Sequence, residues 1–89
     1  MARANARKNR ERWRLELQDI VFRISGQRFE SLQDDLSFVT DLGMNWWQVL
    51  EDLLDEVANL GGDVNDLDPG ELTVGEVIDL ILAGRANAA

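Results

Sequence analysis

Cysteine, histidine and tyrosine are all missing from this sequence, and it holds a single proline. Without cysteine there is no disulfide, no thiolate nucleophile and no thiolate-bound zinc. Without histidine, the commonest general base and transition-metal ligand at neutral pH is gone too. Most hydrolytic mechanisms thereby lose their usual parts, which points away from an enzyme. Long apolar runs are also missing, and nothing approaches the roughly 20 residues needed to span a bilayer. The basic N-terminus leads into a mixed-charge segment, not into the apolar stretch of a secretory signal. The expectation is a cytoplasmic protein with no membrane contact.

What is present suits one small globular domain: 89 residues, 45% of them hydrophobic. Charge is divided along the chain. Residues 1–14 hold six basic side chains against Glu11, a net +5, whereas residues 15–89 hold three basic and sixteen acidic ones, a net −13. This division suggests a basic arm over residues 1–10, a helical domain over 11–84 and a tail over 85–89. Such an arm either folds back on the acidic body, meets a neighbouring molecule, or stays solvated.

Spacing defines three helices. Trp13, Leu17, Ile20, Val21 and Ile24 form one apolar stripe, so the first helix is expected from about residue 8 to Ile24, stopped at Ser25-Gly26. Leu15 and Phe22 lie off that stripe and predict a second buried side. Residues 25–43 form a long connection, pinned by Phe29, Leu32, Leu36, Phe38, Val39 and Leu42. The second helix opens at Asn45, an N-cap with Gln48 three residues on. Its stripe is Trp46, Leu50, Leu53, Leu54 and Val57, and Glu51, Asp52, Asp55 and Glu56 form an acidic ridge opposite. Gly61-Gly62 stops it. A turn-rich stretch follows, with room for a short fourth helical turn around Asn65 to Leu67. Thr73 and Glu76 then cap a last helix through Val74, Val77, Ile78, Ile81 and Leu82, which Gly84 is expected to end. The fold class is all-α, a small bundle of three to four helices with a long loop between the first two.

"SFVTDLG" (Ser37 to Gly43) and "LTVGEVIDLI" (Leu72 to Ile81) stand in the order and spacing of an acyl carrier protein, which the chain resembles over residues 11–83. The resemblance implies that family's bundle. It also implies a phosphopantetheine attachment serine inside an Asp-Ser-Leu triplet at the start of helix two. Here that triplet falls on Asn45, Trp46 and Trp47. An indole offers no hydroxyl for attachment, and no serine follows Ser37, so no cofactor is expected. Trp46, central on the stripe, is expected to plug the cleft where an acyl chain would enter, with an exposed partner anchor as the alternative. Trp47, about 100° further round, is expected to be exposed as a partner anchor beside Glu51, Asp52, Asp55 and Glu56, with a buried plug as the alternative. The function this implies is a protein–protein interaction or accessory module that meets a basic surface.

Two other readings compete. "GDVNDLDPGELTVGE" echoes a calcium loop, with Asp63, Asn65, Asp68, Gly70 and Glu76 as ligands. Such loops need oxygens at positions one, three and five and glycine at six, but counting from Asp63 puts Leu67 at five and Asp68 at six. A helix-connecting turn is the simpler reading. The arm, with Trp13 available for stacking, suggests nucleic acid. The body's −13 counts against it, because like charges repel within a Debye length of about 8–10 Å.

Overall fold

A computed structural model describes the backbone of residues 2–88 and the side chains of residues 9–86. Helix α1 runs Ala2–Ser25, α2 runs Leu54–Asn59 behind a π-helical segment Gln48–Leu53, and α3 runs Val74–Ala88. Residues 46 and 47 are helical too, so the second helix is continuous over residues 46–59. No β-strand occurs among the described residues; an isolated antiparallel bridge joins Ser37 to Thr73. The fold is all-α with three helices.

The α1 stripe packs as its spacing demands, with Trp13, Leu17, Ile20 and Val21 buried and Ile24 half-buried against them. The helix begins well before residue 8, because Ala and Arg favour helix even where no apolar period marks it. The side chains of Arg3, Arg7 and Lys8 lie outside the described residues. Gly26 ends α1 at φ 77°, the left-handed conformation of a helix C-cap. The expected second buried side does not form. Leu15 is 56% exposed and Phe22 39%, since no element packs on that side; the Arg28 guanidinium lies over the Phe22 ring at 4.3 Å instead.

All six apolar residues of the long connection pack on the core, with Leu32, Phe38 and Leu42 buried and Phe29, Leu36 and Val39 half-buried. Backbone hydrogen bonds fasten this connection to the start of α3. Phe38 N–H donates to Leu72 C=O at 3.3 Å, Val74 N–H to Leu36 C=O at 2.9 Å and Gly75 N–H to Asp34 C=O at 2.9 Å. Asp34 is also a charge junction. Arg10 and Arg14 pair with it at 2.8 and 2.6 Å, and Arg10 also reaches Asp79 on α3. Arg14 first, then Arg10, hold the Asp34 carboxyl below the usual carboxylate range. Arg10, at the end of the basic arm, is thereby tied to the acidic body.

Two expectations about helix ends are corrected. Gly84 does not stop α3, which continues to Ala88 through most of the expected tail. The glycine is there for space. A Cβ at Gly84 would lie 1.6 Å from the Gly61 carbonyl oxygen, so the end of the second helix sits directly on α3. Around Asn65 to Leu67 the chain makes a turn, not a fourth helix, with Asp66 at φ 61°.

Candidate functional site

The second helix starts with the two-way cap its sequence announces. Asn45 Oδ1 accepts from the Trp47 N–H at 2.8 Å, and Gln48 Oε1 accepts from the Asn45 N–H at 2.9 Å. A π-helical segment follows at once. The Leu54 N–H bonds back to the Val49 carbonyl, five residues earlier instead of four. One extra residue in a turn rotates whatever precedes it by about 100° relative to the α-helical register.

That rotation corrects the expected role of Trp46. In a regular α-helix Trp46 and Leu50 share the face of Leu53, Leu54 and Val57. Here the register before the π segment shifts by one, so Val49 takes the place of Leu50, fully buried, with Leu53 and Val57 also at 0% exposure and Leu54 at 5%, while Leu50 is half-buried. Trp46 is 39% exposed and Trp47 61%, so Trp46 is not a buried plug. Its indole lies along Gly70 in the last connection, with ring atoms 3.7 and 3.8 Å from where a Cβ would stand. The two indoles meet edge to face, with ring centroids 4.9 Å apart at 81°. Trp46 is propped by the connection, and Trp47 is carried outward on Trp46.

Glu51, Asp52 and Asp55 are exposed and Glu56 is half-buried. Glu56 meets Arg23 of α1 at 3.5 Å; the other three carboxylates have no ion pair among the described residues. A shallow groove of about 300 Å³, lined by Leu50, Leu54, Ala58 and Val64, runs along the same helix between Glu51 and Asp55. Sequence spacing missed this groove because Val64 reaches it from the following connection. The arrangement is an apolar patch, two indoles and a groove, with carboxylates of one sign beside it.

The other sites read from sequence are placed as follows. Asp63 Oδ1 accepts from Asn65, through its N–H at 3.1 Å and its side chain at 2.9 Å, and Asp68 Oδ1 accepts from the Gly70 N–H at 2.9 Å. Glu76 accepts from the Thr73 hydroxyl at 3.1 Å and donates its own N–H back at 3.3 Å. Each carboxylate serves its own turn or cap, and no cluster of His, Cys, Asp or Glu able to hold a metal ion occurs among the described residues. Trp13 is 5% exposed, beneath the guanidiniums of Arg12 and Arg85 at 4.9 and 4.8 Å. A ring so covered cannot stack on a nucleobase. No helix of the described residues is long and apolar enough to cross a membrane. No protein-family profile, curated protein or solved structure matches the chain.

Proposed function

We propose that this chain is a non-catalytic domain of acyl-carrier type that carries no phosphopantetheine and works by docking a basic protein partner on its second helix. The element order supports the reading: a long connection pinned between the first two helices, a capped and acidic second helix, and Thr73 capping the last. Trp46 stands where the resemblance places an attachment serine. The observation that carries the proposal is the outward-facing Trp46–Trp47 pair, 39% and 61% exposed, on the helix that bears Glu51, Asp52, Asp55 and Glu56. Aromatic residues at the centre of a patch supply binding energy, and charges around them steer the encounter.

Two measurements test the two halves of this reading. Intact-mass analysis after incubation with a phosphopantetheinyl transferase and coenzyme A is expected to show no added mass; a gain of one arm refutes the loss of attachment. A partner captured by the wild-type chain at low salt is expected to be lost from the Glu51→Lys, Asp55→Lys double variant, whose fold circular dichroism should show intact. Undiminished capture by that variant removes the second helix as the docking face.

A further inference from the structure

Away from the second helix, a pocket of about 260 Å³ lies between the N-terminal half of α1 and the C-terminal half of α3, lined by Asn9, Arg12, Trp13, Leu82, Arg85 and Ala86. Its charge is unlike that of the rest of the molecule. Among the six basic side chains of the described residues, Arg10, Arg14, Arg23 and Arg28 each pair with a carboxylate, whereas Arg12 and Arg85 pair with none. These two converge on the pocket. Each guanidinium lies over the Trp13 ring, at 4.9 and 4.8 Å from its centroid, so the two stand within about 10 Å of each other. The chain around them explains the missing partners: residues 1–10 and 80–89 contain no aspartate or glutamate in a protein with seventeen acids. The bordering acids, Glu11 and Asp79, are engaged by Arg14 and Arg10. Arg85 is also held in position, since its Nη1 donates to the Leu60 carbonyl at 3.3 Å.

From this geometry we infer that the Arg12–Arg85 pocket binds a small oxyanion of the phosphate class, either free phosphate or the terminal phosphate of a small phosphomonoester. Two guanidiniums and the Asn9 amide line one pocket, and Arg12 together with the part of the Arg85 fork not given to Leu60 can share the oxygens of a tetrahedral anion of about −2 charge, which offers more acceptors than a planar carboxylate. Without an anion the two unpaired cations repel each other. The size favours a small ligand, because the pocket lies below the range that holds drug-sized molecules. The net charge of −8 also repels a polyanion.

Titration of the whole chain with inorganic phosphate at constant ionic strength and neutral pH tests this, read by the indole N–H resonances of the three tryptophans. The Trp13 resonance is expected to shift saturably and those of Trp46 and Trp47 to stay in place, with chloride and acetate producing no saturable shift. Arg12→Gln removes an exposed side chain that holds no other element together, and is expected to weaken phosphate about tenfold, the loss of one charge-assisted hydrogen-bonding group. Arg85→Lys, which keeps the charge but loses the fork, is expected to weaken it as well. A Trp13 shift that never saturates, or equal affinity in Arg12→Gln, overturns the site. A single-stranded oligonucleotide that binds more tightly than phosphate, with a steep salt dependence, overturns the assignment to a small ligand.

Discussion

Replacing Trp46 and Trp47 by alanine, singly and together, tests how the second helix carries its aromatic pair. An indole can bury up to about 250 Å², and Trp46 is 39% exposed, which leaves about 150 Å² covered. At about 25 cal/mol per Å² that burial contributes about 4 kcal/mol. Compaction of the unfolded chain removes up to about 40% of it, and alanine keeps part of the remainder. Trp46→Ala is therefore expected to cost about 2–3 kcal/mol, short of the roughly 3–5 kcal/mol for a fully buried aromatic. Trp47, 61% exposed, covers about 100 Å² by the same reckoning and is expected to cost about 1–2 kcal/mol. The edge-to-face contact at 4.9 Å belongs to both residues. The double variant should thus lose less than the sum of the singles, by about 0.5–1.5 kcal/mol. Urea unfolding followed by far-ultraviolet circular dichroism measures all three losses, and does not depend on the fluorophores being removed. A domain of this size has about 5 kcal/mol or more to lose, so each single variant should remain folded. A Trp46→Ala loss above about 4 kcal/mol would restore the buried plug. Strict additivity would mean that Trp47 does not rest on Trp46.

Two further outcomes follow from the packing and the charges. Gly84→Ala is expected to destabilise by about 1–2 kcal/mol, although alanine favours a helix by about 1 kcal/mol, because the Gly61 carbonyl leaves no room for a Cβ; thermal unfolding that shows a gain would place that carbonyl elsewhere. Asp34→Asn is expected to cost about 1 kcal/mol at neutral pH, the scale of two half-exposed ion pairs. Because Arg14 and Arg10 depress the Asp34 pKa in the folded state, the contribution is fully present above the unfolded value. It is lost as pH falls through the folded one, so the gap between the two proteins should begin to close below about pH 4 and vanish only once the folded carboxyl is protonated. A gap that persists undiminished into acid would assign the loss to something other than the charge.

Where the chain follows local rules, its sequence was readable. The Trp13–Leu17–Ile20–Val21 stripe, the Asn45–Gln48 and Thr73–Glu76 caps and the stop at Gly26 each depend on residues within a few positions of one another, and the six apolar pins of the long connection were readable from their apolar character alone. Features that depend on distant segments were not readable. Gly84 looks like a helix stop because the same residue serves both to end helices and to let two backbones touch, and only the position of Gly61 decides between them. Arg10 reads as part of a free arm until Asp34, 24 residues on, is brought beside it. The early start of α1 did carry a signal, in the three Ala and two Arg of residues 2–7, but propensity without an apolar period is easily overlooked. The π segment carried none, because a stripe counted at 3.6 residues per turn assumes the geometry that the segment breaks.

That break falls just where the candidate docking face begins. A regular helix through residues 46–59 would turn Trp46 inward, in line with Leu53 and Val57, and would leave Trp47 with no aromatic support. With the π segment, Val49 fills the core at 0% exposure while both indoles face outward. The two rings then divide their labour. Trp46 is more than half covered and braced along Gly70, so it belongs to the scaffold as much as to the surface. Trp47 rests on Trp46 and is otherwise the largest exposed apolar surface of the described residues. A rigid aromatic loses little conformational entropy when a partner covers it, which is what a binding anchor requires. For a basic partner docked there as proposed, Glu51, Asp52 and Asp55 would add attraction over a longer range, which salt would screen while leaving the indole contact intact. Under the proposed docking, raising the salt should slow association with a basic partner far more than it speeds dissociation. Removing Trp47 should do the opposite, shortening the life of the complex with little change in the rate at which it forms. A partner whose association ignores salt, or whose dissociation ignores Trp47, does not use this face.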